Sequence, residues 1–378
     1  MSERPNFSVE YLEPPAPIEA EPLPDEFSPS SLKRSLLILG AIVAALTVAI
    51  LTLPGLDSLR ERFSGAQPGW LAFAVVLELA SCASYVFVFR GVFCSRMSWR
   101  TSTEIGLSEL AANSLLSVGG AGGLALGAWI LRRGGLPAAF IAQRTVAFFL
   151  LTSLANVGFL LIGGIGLATG ILNGEHNWLL GLLPALGAVL VIALALGAGR
   201  VAGALQRRSM RTKLATAAGA VGEGVEEAMR LLKTGDLRII LGASGYMLFD
   251  VAMLGVCFAA FGHDVPPAGV LLVAYIIGQL GSLIPIPGGI GGVDGGLIGT
   301  LVLYGVDPGD AAVAVIAYRG LLLTIPALLG LPALAVLRKR LQSEATDIAA
   351  CAPGETVEVL GRGKVERGVP VTATADGT

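Results

Sequence analysis

Pro285-Ile286-Pro287-Gly288-Gly289-Ile290-Gly291-Gly292-Val293-Asp294 cuts an otherwise apolar stretch, residues 269 to 304, into two pieces. Proline removes a backbone donor and stops the incoming helix. Glycine admits backbone conformations closed to other residues. The run therefore reads as a break between two half-helices, each too short to cross a bilayer core of about 30 Å, which takes about 20 apolar residues. A second apolar stretch, residues 104 to 131, is broken in its middle by Gly119-Gly120-Ala121-Gly122-Gly123. Non-helical backbone at membrane depth is tolerated only where protein or a watery cavity surrounds it. The two breaks thus predict a cavity.

The rest of the 378-residue chain fits that setting, with 54% hydrophobic and only 14% charged residues. A soluble domain carries about 25% charged residues, so the composition excludes most soluble architectures. Glycine (51 residues) and the low aromatic share (6%) suit close helix packing in lipid. Full-length spans are expected at 35 to 53, 69 to 90, 143 to 170, 179 to 199, 239 to 261 and 312 to 336. The fold class is an all-α polytopic membrane protein with about six transmembrane helices.

Charge threads the chain. Lys33 and Arg34, Arg90, Arg96 and Arg100, Arg132 and Arg133, Arg200 to Lys213, and Arg338 to Arg340 belong in the cytoplasm by the positive-inside rule. The roughly 30 residues between Arg100 and Arg132 are too few for two full crossings. They form a re-entrant half-helix hairpin turning at Gly119 to Gly123. The stretch 269 to 304 lies between His263-Asp264-Val265-Pro266-Pro267 and Asp307-Pro308-Gly309-Asp310, both outside, and re-enters from the opposite face. Trp70 and Trp178 at outer ends, with Trp99 and Trp129 near inner ends, agree with this threading, since indoles favour headgroup level. Both termini are then cytoplasmic and the plasma membrane is the expected location.

The two broken regions share one order of parts. Each has a carboxylate in the preceding span (Glu78, Asp250), a GGxGG break about 40 residues later, a Gly and a Pro turn (Gly135 and Pro137; Gly305 and Pro308), and a span with one arginine (Arg144, Arg319). Their orientations are opposite, the pattern of an inverted-topology repeat with a site near the midplane. Candidate contacts for a lipid headgroup or its phosphate are Gly119, Gly120, Gly122, Gly123, Pro285, Pro287, Gly288, Gly289, Gly291, Gly292, Asp294 and Arg319. Half-helix N-termini and exposed N–H groups favour an anion. Asp294 can cap the returning half-helix or pair with Arg319, because arginine in hydrocarbon needs a partner or a watery path. Glu78, Arg144 and Asp250 are charge or proton partners, with Arg144 also placed to snorkel.

Residues 1 to 32 form an acidic, proline-rich tail; the first 30 hold seven acids and seven prolines, too few packing groups for order. Residues 33 to 340 form the transmembrane domain, with a basic cytoplasmic segment at 200 to 238, and 341 to 378 a second disordered cytoplasmic tail. Cys82, Cys94, Cys257 and Cys351 show neither metal spacing nor a disulfide framework and read as packing residues. No metal or cofactor is expected. No basic patch with interleaved aromatics points to nucleic acid.

The run Pro285 to Asp294, followed by Gly305 and an apolar helix with Arg319, Pro326 and Gly330, resembles the flippase-like membrane family, also called the lysylphosphatidylglycerol synthase transmembrane region. The family's usual form, P-x-P-G-G-x-G followed by an acid, commonly has Glu where this chain has Asp294. The resemblance spans about residues 33 to 340 and implies a module that moves a modified phospholipid between leaflets. Bifunctional members add a soluble transferase domain, for which the residues after Arg340 are too few, so no synthase activity is expected. The leading expectation is a non-enzymatic lipid flippase-like protein acting on an anionic or modified (glyco)phospholipid. A second is a membrane subunit presenting lipid to a partner glycosyl- or aminoacyltransferase. A third, an intramembrane enzyme, has Gly242-Ala243-Ser244-Gly245 as its motif. His263 lies about 28 Å along the helix from Ser244, so these glycines read as packing residues.

Overall fold

The computed structural model describes residues 57–116, 121–172, 178–190, 213–283, 289–349 and 351, with scattered positions between 31 and 48. The expected first span, the end of the fourth, most of both tails, and Gly119, Gly120, Pro285, Pro287 and Gly288 lie outside the described residues. The elements are α1 (Asp57–Ser64), α2 (Pro68–Phe93), α3 (Trp99–Leu115), α4 (Ala121–Arg133), α5 (Ala138–Ala168), α6 (Trp178–Leu190), α7 (Lys213–Lys233), α8 (Leu237–Ala260), α9 (Ala268–Gln279), α10 (Gly292–Leu303) and α11 (Pro308–Ala349). A 3-10 turn, Leu280–Leu283, extends α9. Among the described residues four helices, α2, α5, α8 and α11, are long and apolar enough to cross a membrane. The protein is an all-α, multi-pass membrane protein.

At 26 residues, α2 is about 39 Å long. Ala74, Glu78, Ser81, Tyr85, Val88 and Val92 recur at helical spacing and are buried, whereas Trp70, Phe73, Val76 and Phe87 are exposed. A soluble helix hides its apolar side; this one turns much of it outward, as contact with lipid requires. The buried stripe packs antiparallel on α8. Gly242 sits against Val88 and Ser84, and Gly91 against Ile239, so closely that a Cβ on either glycine would collide with its neighbour. Gly242 and Gly245 are thus packing positions on α2.

The helices flanking each expected break pack against each other as a hairpin. In the first, α3 and α4 run antiparallel, with Gly123 against Glu109 and Asn113, and Gly127 against the Glu109 carboxyl. In the second, α9 and α10 run antiparallel, with Gly278 against Leu297 and Gly281 against the Gly292 backbone. Each leading half-helix then packs on the long arginine-bearing helix of the other repeat. Gly330 of α11 lies on the Leu107 carbonyl of α3, and Gly163 of α5 lies on Leu272 of α9. The repeats therefore embrace each other, and what they enclose is built from both.

Three expectations are corrected. The chain expected to be disordered from 341 stays helical to Ala349, because Ile348 is buried against Gly134 and the Asp347 carboxylate accepts from the Ser98 N–H and the Thr101 hydroxyl at the start of α3. That docking brings Cys351 to Cys94, with Cα atoms 5.7 Å apart, and the two form a disulfide rather than acting as plain packing residues; Cys82 and Cys257 are buried thiols. Arg144 does not snorkel: its guanidinium donates to the Val92 carbonyl and pairs at 3.1 Å with Glu227 of α7. At the other end of the molecule, Arg62 of α1 pairs with Asp307 and Asp310, and His263 Nδ1 lies 3.1 Å from Asp310.

Candidate functional site

The repeats enclose a cavity of about 190 Å³. Glu78 and Cys82 of α2, Asn113 and Ser114 of α3, Tyr246 and Asp250 of α8, Tyr275 and Gln279 of α9, Ser282, Gly289 and Val293, and Arg319 with Pro326 of α11 form its wall. Both hairpins contribute, as the two glycine breaks predict. Leu110, Leu116, Leu322 and Leu323 complete the wall, which is half polar, and ionisable groups inside a membrane domain mark binding sites by default.

Arg319 and Asp294 define one side. Arg319 Nε donates to Asp294 Oδ1 at 2.7 Å, and the Gly291 N–H donates to Asp294 Oδ2 at 2.7 Å. Asp294 is therefore both the cap of α10 and the arginine's partner. The N-terminal turn of α10 is acidic at its third position, where a carboxylate meets N–H groups otherwise left unpaired. The turn needs glycine, since Gly289 and Gly291 have φ of 66° and 85°. At 8% side-chain exposure, Arg319 is held in place by the pair yet borders the cavity. Charge-assisted donors of this kind recognise phosphate and carboxylate oxygens.

Asp250 defines the opposite side. It is 1% exposed, and both carboxylate oxygens are satisfied: Ser81 Oγ donates to Oδ1 at 2.6 Å and Tyr275 Oη to Oδ2 at 2.9 Å. Glu78, one turn before Ser81 on the same face of α2, is 2% exposed and meets the Cys82 thiol at 3.7 Å. Pro326, which has no N–H to bond the Leu322 carbonyl, lies on the wall with Arg319 and Leu322.

The expected residues do not all meet here. Glu78, Asp250, Gly289 and Arg319 do, whereas Asp294 reaches the site only through its bond to Arg319, in the cap of α10 with Gly291 and Gly292. Gly122 and Gly123 do not line the cavity: they bring α4 onto Leu116, Glu109 and Asn113, and the Gly123 N–H donates to Asn113 Oδ1 at 2.7 Å. Arg144 is likewise absent. Its partner Glu227 also accepts from Arg230 at 2.7 Å and 2.8 Å, and that pairing holds the Glu227 carboxyl below its usual range. The Gly291 N–H, expected to be open to a phosphate, is taken by Asp294. Ser81, Asn113, Tyr246, Tyr275, Gln279 and Ser282 were not legible as site residues, since each is an ordinary polar residue on an apolar helix.

No curated protein matches the chain. The family described as "Lysylphosphatidylglycerol synthase TM region" matches residues 37–330, which include both hairpins and every residue of the cavity wall. The chain belongs to this family, whose description points to a lipid-related membrane protein.

Proposed function

We propose that the protein moves the headgroup of an anionic or modified phospholipid between leaflets through the cavity of Arg319, Asp250 and Glu78, with Asp294 holding Arg319, without chemical conversion. The single observation that supports this most is a membrane-buried arginine held at the cavity wall by an acid that can exchange it for a ligand oxygen. An incoming phosphate competes with Asp294 for the guanidinium, and Asp294 retains the Gly291 N–H as a partner. The side-chain amides of Gln279 and Asn113 can take the uncharged part of a headgroup. A volume of about 190 Å³ is below the roughly 300–1,000 Å³ of pockets that enclose whole drug-sized ligands, so the acyl chains stay in the bilayer while the head crosses.

In this reading the hairpins re-enter from opposite faces, both termini are cytoplasmic and the membrane is the plasma membrane. Purified protein in liposomes is expected to move a fluorescent anionic phospholipid between leaflets faster than protein-free liposomes do. Equal rates across several headgroups would sink the proposal. A second reading, presentation of lipid to a partner transferase, draws support from α7. Glu227 pins it to Arg144 while Glu223, Glu226 and Met229 face outward, as a docking helix would present them. Under that reading the reconstituted protein binds lipid without moving it.

A further inference from the structure

Among the described residues, Glu78, Asp250 and Arg319 are the charge-bearing side chains that line the cavity, two acids against one guanidinium, with Asp294 behind the arginine. Arg319 and one of the lining acids are matched. Asp294 has Arg319 and the Gly291 N–H, and Asp250 has the hydroxyls of Ser81 and Tyr275. Glu78 is not. Its Oε1 faces only the Cys82 thiol, a weak donor, and its Oε2 is buried with no hydrogen-bond partner.

The groups around it offer little to an anion. On its own helix stands Cys82. From α8 come Tyr246 and the second acid, Asp250. From α9 comes Tyr275, whose hydroxyl is committed to Asp250. From α11 come Arg319, bonded to Asp294, and nearby Tyr318, whose buried hydroxyl also lacks a hydrogen-bond partner. Among the described residues nothing basic other than Arg319 lines the cavity. A carboxylate enclosed without donors and beside a second acid is strongly disfavoured against its neutral form. A carboxylic acid carries its own donor and needs only an acceptor or a water in the cavity.

We propose that Glu78 is a proton-binding site of the cavity: its carboxyl carries a proton in this arrangement and exchanges it with water in the cavity. On release the O–H bond breaks, the proton goes to water and the carboxylate remains. On uptake the reverse occurs, and no other reactant is needed. The site has a further consequence that rests on the lipid reading given above. An anionic headgroup drawn to Arg319 adds negative charge beside Glu78 and favours the protonated form, so proton and headgroup occupy the cavity together. By linkage each then tightens the binding of the other.

Infrared spectroscopy of the purified full-length protein in detergent tests the site without any transport assay. At neutral pH the wild type is expected to show the carbonyl stretch of a protonated carboxylic acid that shifts in heavy water. Glu78→Gln loses that component and Asp250→Asn keeps it. Glu109, another buried acid, is bonded by Tyr85 at 2.8 Å, and Glu109→Gln run in parallel identifies any band of its own. If Glu78→Gln does not fold, Glu78→Asp is expected to move the band without abolishing it. A wild-type minus Glu78→Gln spectrum with no protonated-acid band, or with one that ignores heavy water, overturns the proposal. Titration of the band with dioctanoyl phosphatidylglycerol, an anionic lipid, then tests the linkage. A rise of about one pH unit in its midpoint, tenfold in proton affinity, is expected. A band that titrates but ignores the lipid contradicts the linkage, and the lipid reading with it, while leaving the proton site standing.

Discussion

The two halves contain the same parts and use them differently. In the second half the arginine of the long helix, Arg319, turns to the acid of its own hairpin, Asp294, and borders the cavity. In the first half the corresponding arginine, Arg144, turns away to Glu227 and fastens α7 to the bundle. The hairpin glycines divide the same way. Gly289 lies on the cavity wall and Gly291 carries the cap of Asp294, whereas Gly122, Gly123 and Gly127 are spent on bringing α4 against α3. A repeat fixes where parts can be placed, and a few side chains then decide which copy recognises a ligand and which copy holds the frame.

That division can be broken most severely at Arg319. Arg319→Ala leaves the Asp294 carboxylate without its cation and is expected to lower stability by about 3 kcal/mol as well as abolish lipid movement. The double change Asp294→Asn with Arg319→Gln recovers most of the stability and none of the movement, as melting in detergent and a leaflet-exchange assay would show. A double variant that moves lipid at the wild-type rate contradicts the assignment.

The frame offers the next largest effect. Gly330→Val drives a side chain into the Leu107 backbone where α11 crosses α3, and overpacking of this kind costs about 1–3 kcal/mol. The expected result is a lowered melting temperature with the lipid specificity unchanged. A Gly330→Val protein as stable as wild type means the two repeats do not embrace as described. Gly291→Ala should cost about 1–2 kcal/mol through its left-handed backbone, φ 85°. In contrast to Gly330→Val, it should also slow transport, because it disturbs the cap that holds Asp294.

Smaller effects separate α7 from the cavity. Glu227 is depressed below its usual range chiefly by the hydrogen bond from Arg230 and also by the charge of Arg144. A carboxyl depressed on docking contributes stability that is complete above its free value, about 4.3, and is lost as pH falls through the docked value. Amide exchange across 213–233 should therefore rise on acidification below the ordinary carboxylate range, and Glu227→Gln should bring that rise to neutral pH. Unchanged exchange in Glu227→Gln contradicts the role given to Arg144. The smallest effect expected is from reducing Cys94–Cys351: faster exchange near 341–351 and no change in lipid binding at the cavity.

The all-α, multi-pass class was legible in the sequence because lipid imposes a coarse rule, the length of apolar helix needed to span it. The Asp294–Arg319 pair could also be anticipated, since two costly charges seldom stay apart in a membrane. What the sequence hid was direction and distance. Arg144 and Arg319 occupy matching positions, and nothing local says that one will meet Glu227 of α7, which lies outside the repeat. The bond from Ser81 and Tyr275 to Asp250 joins three helices, and the Cys94–Cys351 disulfide spans 257 residues. Such pairings appear only once the helices are packed.

The central claim is that the headgroup passes the second-half arginine and not the first-half one. Its most direct test is the leaflet-exchange rate of a labelled anionic phospholipid in liposomes containing wild type, Arg319→Ala or Arg144→Ala, each corrected for the amount of folded protein. The account predicts that Arg319→Ala falls to the protein-free rate while Arg144→Ala stays within about threefold of wild type, less than 1 kcal/mol in the barrier. Equal losses in the two variants, or loss in Arg144→Ala alone, would contradict it.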